Sequence, residues 1–197
     1  MDKVQRAFLG LLEIQDVKSP STVELHDSTM VLVFRTVPLR LFRVNNGPIT
    51  KLRAFDARPS RRSFDLLTIK GRAVPRALMP ETYKAPNGAS MRPNTPILHE
   101  LVRNFRGRQV RITQIEQGTL LPGCLLLAHE DRDHFSLQPA EEMTVAELNA
   151  RIDRFLESCG TSMSKEEFFE RHQKPSDLAT LLEAAIASSA PSSNPTS

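Results

Sequence analysis

Cys124 to Ala128 is an unbroken apolar run, CLLLA, and it is closely followed by the alternating stretch HFSLQ, His134 to Gln138. A run this short suits a central strand. The alternation puts Phe135 and Leu137 on one face of a second strand and His134, Ser136 and Gln138 on the other. The core therefore contains a sheet. Three polar side chains on one face make either an exposed surface or the floor of a cleft, and periodicity does not choose between them.

Other segments surround this pair. Val4, Ala7, Phe8, Leu11 and Leu12 fall at helical spacing and predict an amphipathic helix over residues 2–14. Thr29 to Val37 is β-branched and apolar, a strand interrupted by Pro38. Leu39 to Val44 alternates, with Leu39, Leu41 and Arg43 on one side, and Asn45 to Pro48 ends it with turn chemistry. Residues 49–93 are broken by Pro59, Pro75, Pro80, Pro86 and Pro93 and read as loop with short elements. A connection of that length is usually functional or mobile. A helix follows, capped by Asn94 or Thr95, with Pro96 at its first position. Its expected buried stripe is Ile97, Leu98, Leu101, Val102 and Phe105, and Gly107 is its expected stop. Val110 and Ile112 alternate in a strand, and Gly118 and Pro122 bracket a turn. Thr144 to Glu147 is a capping box opening a helix that Gly160 closes. Ser164 to Glu167 repeats the box, and Leu178, Leu181, Leu182, Ala185 and Ile186 mark a last helix. The low-complexity tail from Ser188 is expected to be disordered.

The chain has 197 residues, 40% hydrophobic, enough for one core and a small appendage. Its net charge of +3 conceals three blocks: +13 over residues 35–111, −2 before them and −8 after them. Such a basic middle either faces an anionic partner (phosphate, nucleotide or nucleic acid) or pairs with the acidic C-terminal half. No run approaches the ~20 apolar residues of a membrane span. The two cysteines, Cys124 and Cys159, are too few for a disulfide scaffold, so a reducing, cytoplasmic setting is expected. Asp2, Glu13 and Asp16 fit neither a signal nor a transit peptide. Glycine-rich nucleotide motifs and the His-Glu-x-x-His zinc motif are absent. His129, Glu130, Asp131, Asp133 and His134 could ligate a metal, but on a turn between strands they read better as solvated acidic residues, and no metal is assigned. Arg43, on a strand face with Leu39 and Leu41, is costly to bury without a partner. A bound phosphate or an internal ion pair would supply one.

Four stretches resemble the ADP-ribosyltransferase-fold toxins typified by the second effector of the type VI secretion system, including their fungal relatives. These are Leu41-Phe42-Arg43, Gly88-Ala89-Ser90, the turn Gly118-Thr119-Leu120-Leu121-Pro122, and His134 to Met143. They keep the family's order over about Leu41 to Phe155, and the last is the most specific. The resemblance implies a mixed α/β (α+β) fold: a split, mostly antiparallel β core with peripheral helices. It divides the chain into an N-terminal helix and strand (1–38), a toxin core (39–158), a C-terminal helical appendage (159–187) and a tail (188–197). It implies NAD, bound by Arg43 at the phosphates with Gly88 and Ser90 at the ribose, and His134 at the cleft floor. A macromolecular target of open identity and an immunity protein are the implied partners. Ala89 stands where bacterial members carry a hydroxyl. None of the four stretches holds a Glu-x-Glu or Gln-x-Glu pair, the usual transferase carboxylate signature. Glu130 or Glu142 could serve as that carboxylate, with Gln138 as a neutral hydrogen-bonding group. The alternative is a non-catalytic protein of the same fold that grips RNA or an acidic partner through its basic middle. An aromatic content of 6%, with one Tyr and no Trp, argues against base stacking as its means.

Overall fold

A computed structural model describes residues 3–4, 6–7, 31–55 and 63–189. The strands are β1 (Leu32–Phe34), β2 (Leu41–Asn46), β3 (Arg72–Ala73), β4 (Ala89–Met91), β5 (Val110–Ile115), β6 (Leu125–Asp131), β7 (His134–Pro139), β8 (Met143–Thr144) and β9 (Thr161–Met163). The helices are α1 (Pro96–Asn104), α2 (Val145–Cys159), α3 (Lys165–Arg171) and α4 (Leu178–Ser189). Every pairing between these strands is antiparallel.

The β core is split. One sheet has the order β1-β6-β7-β4 and a second the order β2-β5-β9, with β3 and β8 paired apart. Among the described residues one backbone bridge joins the two sheets: Phe42 N donates to the Arg92 carbonyl at 2.7 Å, and Arg92 N to the Phe42 carbonyl at 2.9 Å. This is the mixed α+β architecture with a split antiparallel core that the motifs imply.

Alternation then sorts the side chains. Phe135 and Leu137 of β7, Leu125 and Leu127 of β6, and Leu41 and Ile115 of the second sheet face the main core. Leu148, Ile152 and Phe155 of α2 and Leu182 of α4 close it. Phe42 and Ile112, on the second sheet's opposite face, pack with Leu98 and Val102 of α1 and Phe168 of α3. Both capping boxes form: Thr144 and Glu147 on α2, Ser164 and Glu167 on α3. Residues 159–187 supply a strand as well as helices, because β9 pairs with β5.

Several local expectations are corrected. On α1, Ile97 and Leu101 are 42% and 41% exposed, and Leu98, His99 and Val102 are the buried face. The helix docks on α3 through one narrow side, which leaves the flanking apolar pair outside. It ends at Asn104 with Phe105 as its C-cap, before Gly107. A Cβ at Gly107 would stand 2.6 Å from Asn46 Oδ1, so close packing rather than helix termination requires glycine there. Residues 63–93 hold two short strands among loops, of which Ala89–Met91 forms an edge of the first sheet. Ser188 and Ser189 extend α4. Phe8, Leu11, Leu12, Thr29, Met30, Pro59 and residues 190–197 lie outside the described residues, while Lys3, Val4, Arg6 and Ala7 are helical.

Candidate active site

The β6–β7 hairpin carries the densest polar cluster. Its register slips between His129 and Asp131, and Arg132 turns the chain at φ 46°. Glu130 follows Leu126 and Ala128 on the face shared by Ser136 and Gln138, where its side chain is fully buried. Glu130 Oε2 lies 3.0 Å from His134 Nδ1. Oε1 accepts from Ser136 Oγ at 2.9 Å, from Gln138 Nε2 and the Asn87 backbone N–H at 3.2 Å each, and from the Tyr83 hydroxyl. Gln138 Nε2 also reaches Tyr83 Oη and Ser136 Oγ at 2.8 Å each.

Burial pushes the Glu130 pKa up, but hydrogen bonds from His134 and Tyr83, with the charge of His134 and the Ser136 hydroxyl, hold it below 4.5. Burial and then the Glu130 charge raise the Tyr83 pKa, so the phenol keeps its proton and donates. The carboxylate faces Nδ1, so Nε2 is the ring nitrogen turned away from it. His134 is 18% exposed, and its Nε2 has no partner among the described residues.

Arg43 lies on the other sheet, on the face of β2 that carries Leu41, and reaches across to β4. Its Nη1 donates to the Ser90 carbonyl at 3.2 Å and its Nη2 to Asn45 Oδ1 at 3.4 Å. The residue is 7% exposed, and Nε is buried without a partner. Burial lowers its pKa to about 10, against the opposing charges of Asp65 and Asp153, so it stays cationic at neutral pH. No carboxylate lies within ion-pair distance of it among the described residues, which removes the internal ion pair as its explanation. A guanidinium offers five N–H donors, and the protein engages Nη1 and Nη2 but not Nε.

Ser90 pairs directly with Ser136 and is exposed, on the face that carries His134. A Cβ on Gly88 would meet the Leu137 carbonyl oxygen and would stand 2.9 Å from Gln138 Cγ, so only glycine lets the chain run this close to β7. Glu130, His134 and Gln138 are thus brought together in one notch, with Ser90 and Gly88 on the adjoining strand β4, and Arg43 is linked to it through the Ser90 carbonyl. Glu142 is not part of it; it pairs with Arg72 on the surface.

The hairpin's acidic residues are not a solvated turn, which corrects the expectation for Glu130 and Asp133. The Asp133 carboxylate is buried and accepts from Arg92 and from Thr95, the residue capping α1. His129 Nε2 instead lies 2.6 Å from the Arg132 carbonyl, so the five residues separate into different networks. Tyr83 and Asn87 were not foreseen; the one sequence signal was that Tyr83 is the chain's single tyrosine. Outside the four motif stretches, Gln114-Ile115-Glu116 is a Gln-x-Glu pair. It lies on β5 on the face of Phe42, opposite to Arg43, and Arg40 Nε binds Glu116 at 2.9 Å. A cavity of about 700 Å³ between Leu120–Cys124 and α2 contains none of the notch residues.

No curated protein matches the chain. A family model described as Tse2 ADP-ribosyltransferase toxin matches residues 39–168, which takes in both sheets from β2 onward, the notch between them and the start of α3. No helix among the described residues is long and apolar enough to cross a membrane. The split core, the arginine in its seam and the matched span agree: the chain belongs to the Tse2 family of ADP-ribosyltransferase toxins.

Proposed function

We propose that the protein uses NAD to ADP-ribosylate a cellular macromolecule, with Arg43 as phosphate anchor and Glu130–His134 as its acid–base pair. The observation that carries this reading is the buried Glu130 carboxylate 3.0 Å from His134 Nδ1, with a buried arginine bonded to the Ser90 carbonyl of the adjoining strand.

Bound NAD supplies a ribose–nicotinamide bond whose cleavage passes through an oxocarbenium-like state, as glycoside cleavage does; nicotinamide leaves with the bonding pair. The protein's part is positioning and proton transfer. Arg43 donates to diphosphate oxygens. The Ser90 hydroxyl bonds a ribose hydroxyl at the edge of β4, and Gly88 keeps that edge tight against β7. His134 Nε2 takes the proton from the acceptor's hydroxyl or amine as the acceptor bonds to the ribose carbon. Glu130 orients the ring and stabilises the imidazolium that forms. Tyr83, Ser136 and Gln138 are positioning residues that keep Glu130 ionised and fixed.

Nicotinamide release by the purified full-length chain is the test. Wild type releases nicotinamide, His134→Ala and Arg43→Ala do not, and Glu130→Gln is reduced. Release at the same rate by His134→Ala as by wild type would defeat the assignment.

A further inference from the structure

The basic middle divides once its partners are traced. Arg40 pairs with Glu116, Arg53 with Asp65, Arg72 with Glu142 and Arg92 with Asp133. Arg35 and Arg76 are bonded to backbone carbonyls. The segment Arg103-Asn-Phe-Arg106-Gly-Arg108-Gln-Val-Arg111 is different. It runs from the end of α1 to the start of β5, all four of its arginines are exposed, and it contains no acidic residue. Among the described residues none of the four has a carboxylate partner; Arg103 stacks its guanidinium 5.7 Å from the Phe169 ring centroid.

The segment reaches the notch through the sheet. Arg43 is paired with Thr113, and Asn45 with Arg111. Arg43 and Arg111 are therefore diagonal neighbours on one face of β2–β5, about 7–8 Å apart by strand geometry. Arg111 is the exposed end of a short row that begins at the buried Arg43.

We infer that Arg103, Arg106, Arg108 and Arg111 hold the phosphodiester backbone of a nucleic acid, which is the macromolecular acceptor presented to the notch. This rests on the transferase reading for its purpose. Two features favour nucleic acid over an acidic protein. None of the exposed large apolar residues falls within 103–111, so the segment lacks the apolar centre of a protein interface. All four cations are arginines, whose planar fork matches phosphate bidentately and which predominate in backbone contacts. With the scarcity of aromatics, the grip is on backbone rather than on bases.

The test is fluorescence anisotropy of the full-length chain with labelled oligouridylate across a salt series, and in parallel with duplex DNA and with polyglutamate. No NAD is present, so the result stands or falls independently of nicotinamide release. Wild type is expected to bind at least one nucleic acid with affinity falling steeply as salt rises. Replacing Arg106, Arg108 and Arg111 together by Ser is expected to weaken binding at least tenfold and to flatten the log–log salt slope on oligouridylate by about 2, or 0.7 for each lost contact. The corresponding Lys variant is expected to keep most of the slope. Binding by the Ser variant equal to wild type, or capture of polyglutamate without either nucleic acid, would overturn the proposal.

Discussion

Glu130 keeps its charge inside the protein, and that has a measurable pH consequence. Its pKa in the folded state lies below the ordinary 4.5, so between the two values the unfolded chain binds more protons. Its contribution to stability is complete above about pH 4.5 and is lost as pH falls through the depressed folded value. Glu130→Gln should therefore flatten the acid limb of a denaturation-midpoint curve, which chemical melts from pH 7 to pH 3 would show. Tyr83→Phe removes a donor from the carboxylate and a partner from Gln138. It should slow nicotinamide release and move the acid limb of the rate profile upward in pH, while a purely structural tyrosine would leave that limb in place. Alternation alone placed His134, Ser136 and Gln138 on one face. It did not bury Glu130, because the hairpin's acidic residues read in the sequence as a solvated turn.

The elements hold these residues through backbone approach as much as through hydrogen bonds. Gly88→Ala would drive a methyl group into the Leu137 carbonyl, and β4 must move away from β7 to admit it. The expected cost is about 1–3 kcal/mol, as for other overpacked sites, and a thermal melt checks it. Helix α3 is held differently. Phe168 meets His99 at 5.2 Å and His172 at 5.4 Å between ring centroids, and burial lowers both histidine pKa values below 6.5. Unfolded histidines charge first as pH falls, so this packing stabilises fully above about pH 6.5 and weakens beneath it. Hydrogen exchange should show α3 amides less protected at pH 5.5 than at pH 7.5, by more than the intrinsic pH effect. The helices and their caps were legible because Thr144-x-x-Glu147 and Ser164-x-x-Glu167 are local chemistry. The burial of His99 and the exposure of Ile97 and Leu101 were not, because they depend on where α3 docks.

Across the molecule, both sheets depend on the Phe42–Arg92 pair for their continuity. Phe42 also stacks on Phe168 at 5.4 Å and on His172 at 4.8 Å. Phe42→Ala should cost about 3–5 kcal/mol, and at roughly 2–4 °C per kcal/mol for a chain of this size it should lower the melting midpoint by more than about 6 °C. The charge blocks of the sequence acquire structure at this scale too. Several arginines of the +13 block pair with internal carboxylates, whereas those of Arg103 to Arg111 face outward. The strand order has one more consequence. The chain alternates between its sheets: β1 in the first, β2 in the second, β4 in the first, β5 in the second, β6 and β7 in the first, and β9 in the second. Neither sheet can be assembled from a contiguous half of the polypeptide. During synthesis the second sheet lacks its edge until Thr161–Met163 has left the ribosome, so β5 stays unpaired on that side while both strands of the β6–β7 hairpin are already made.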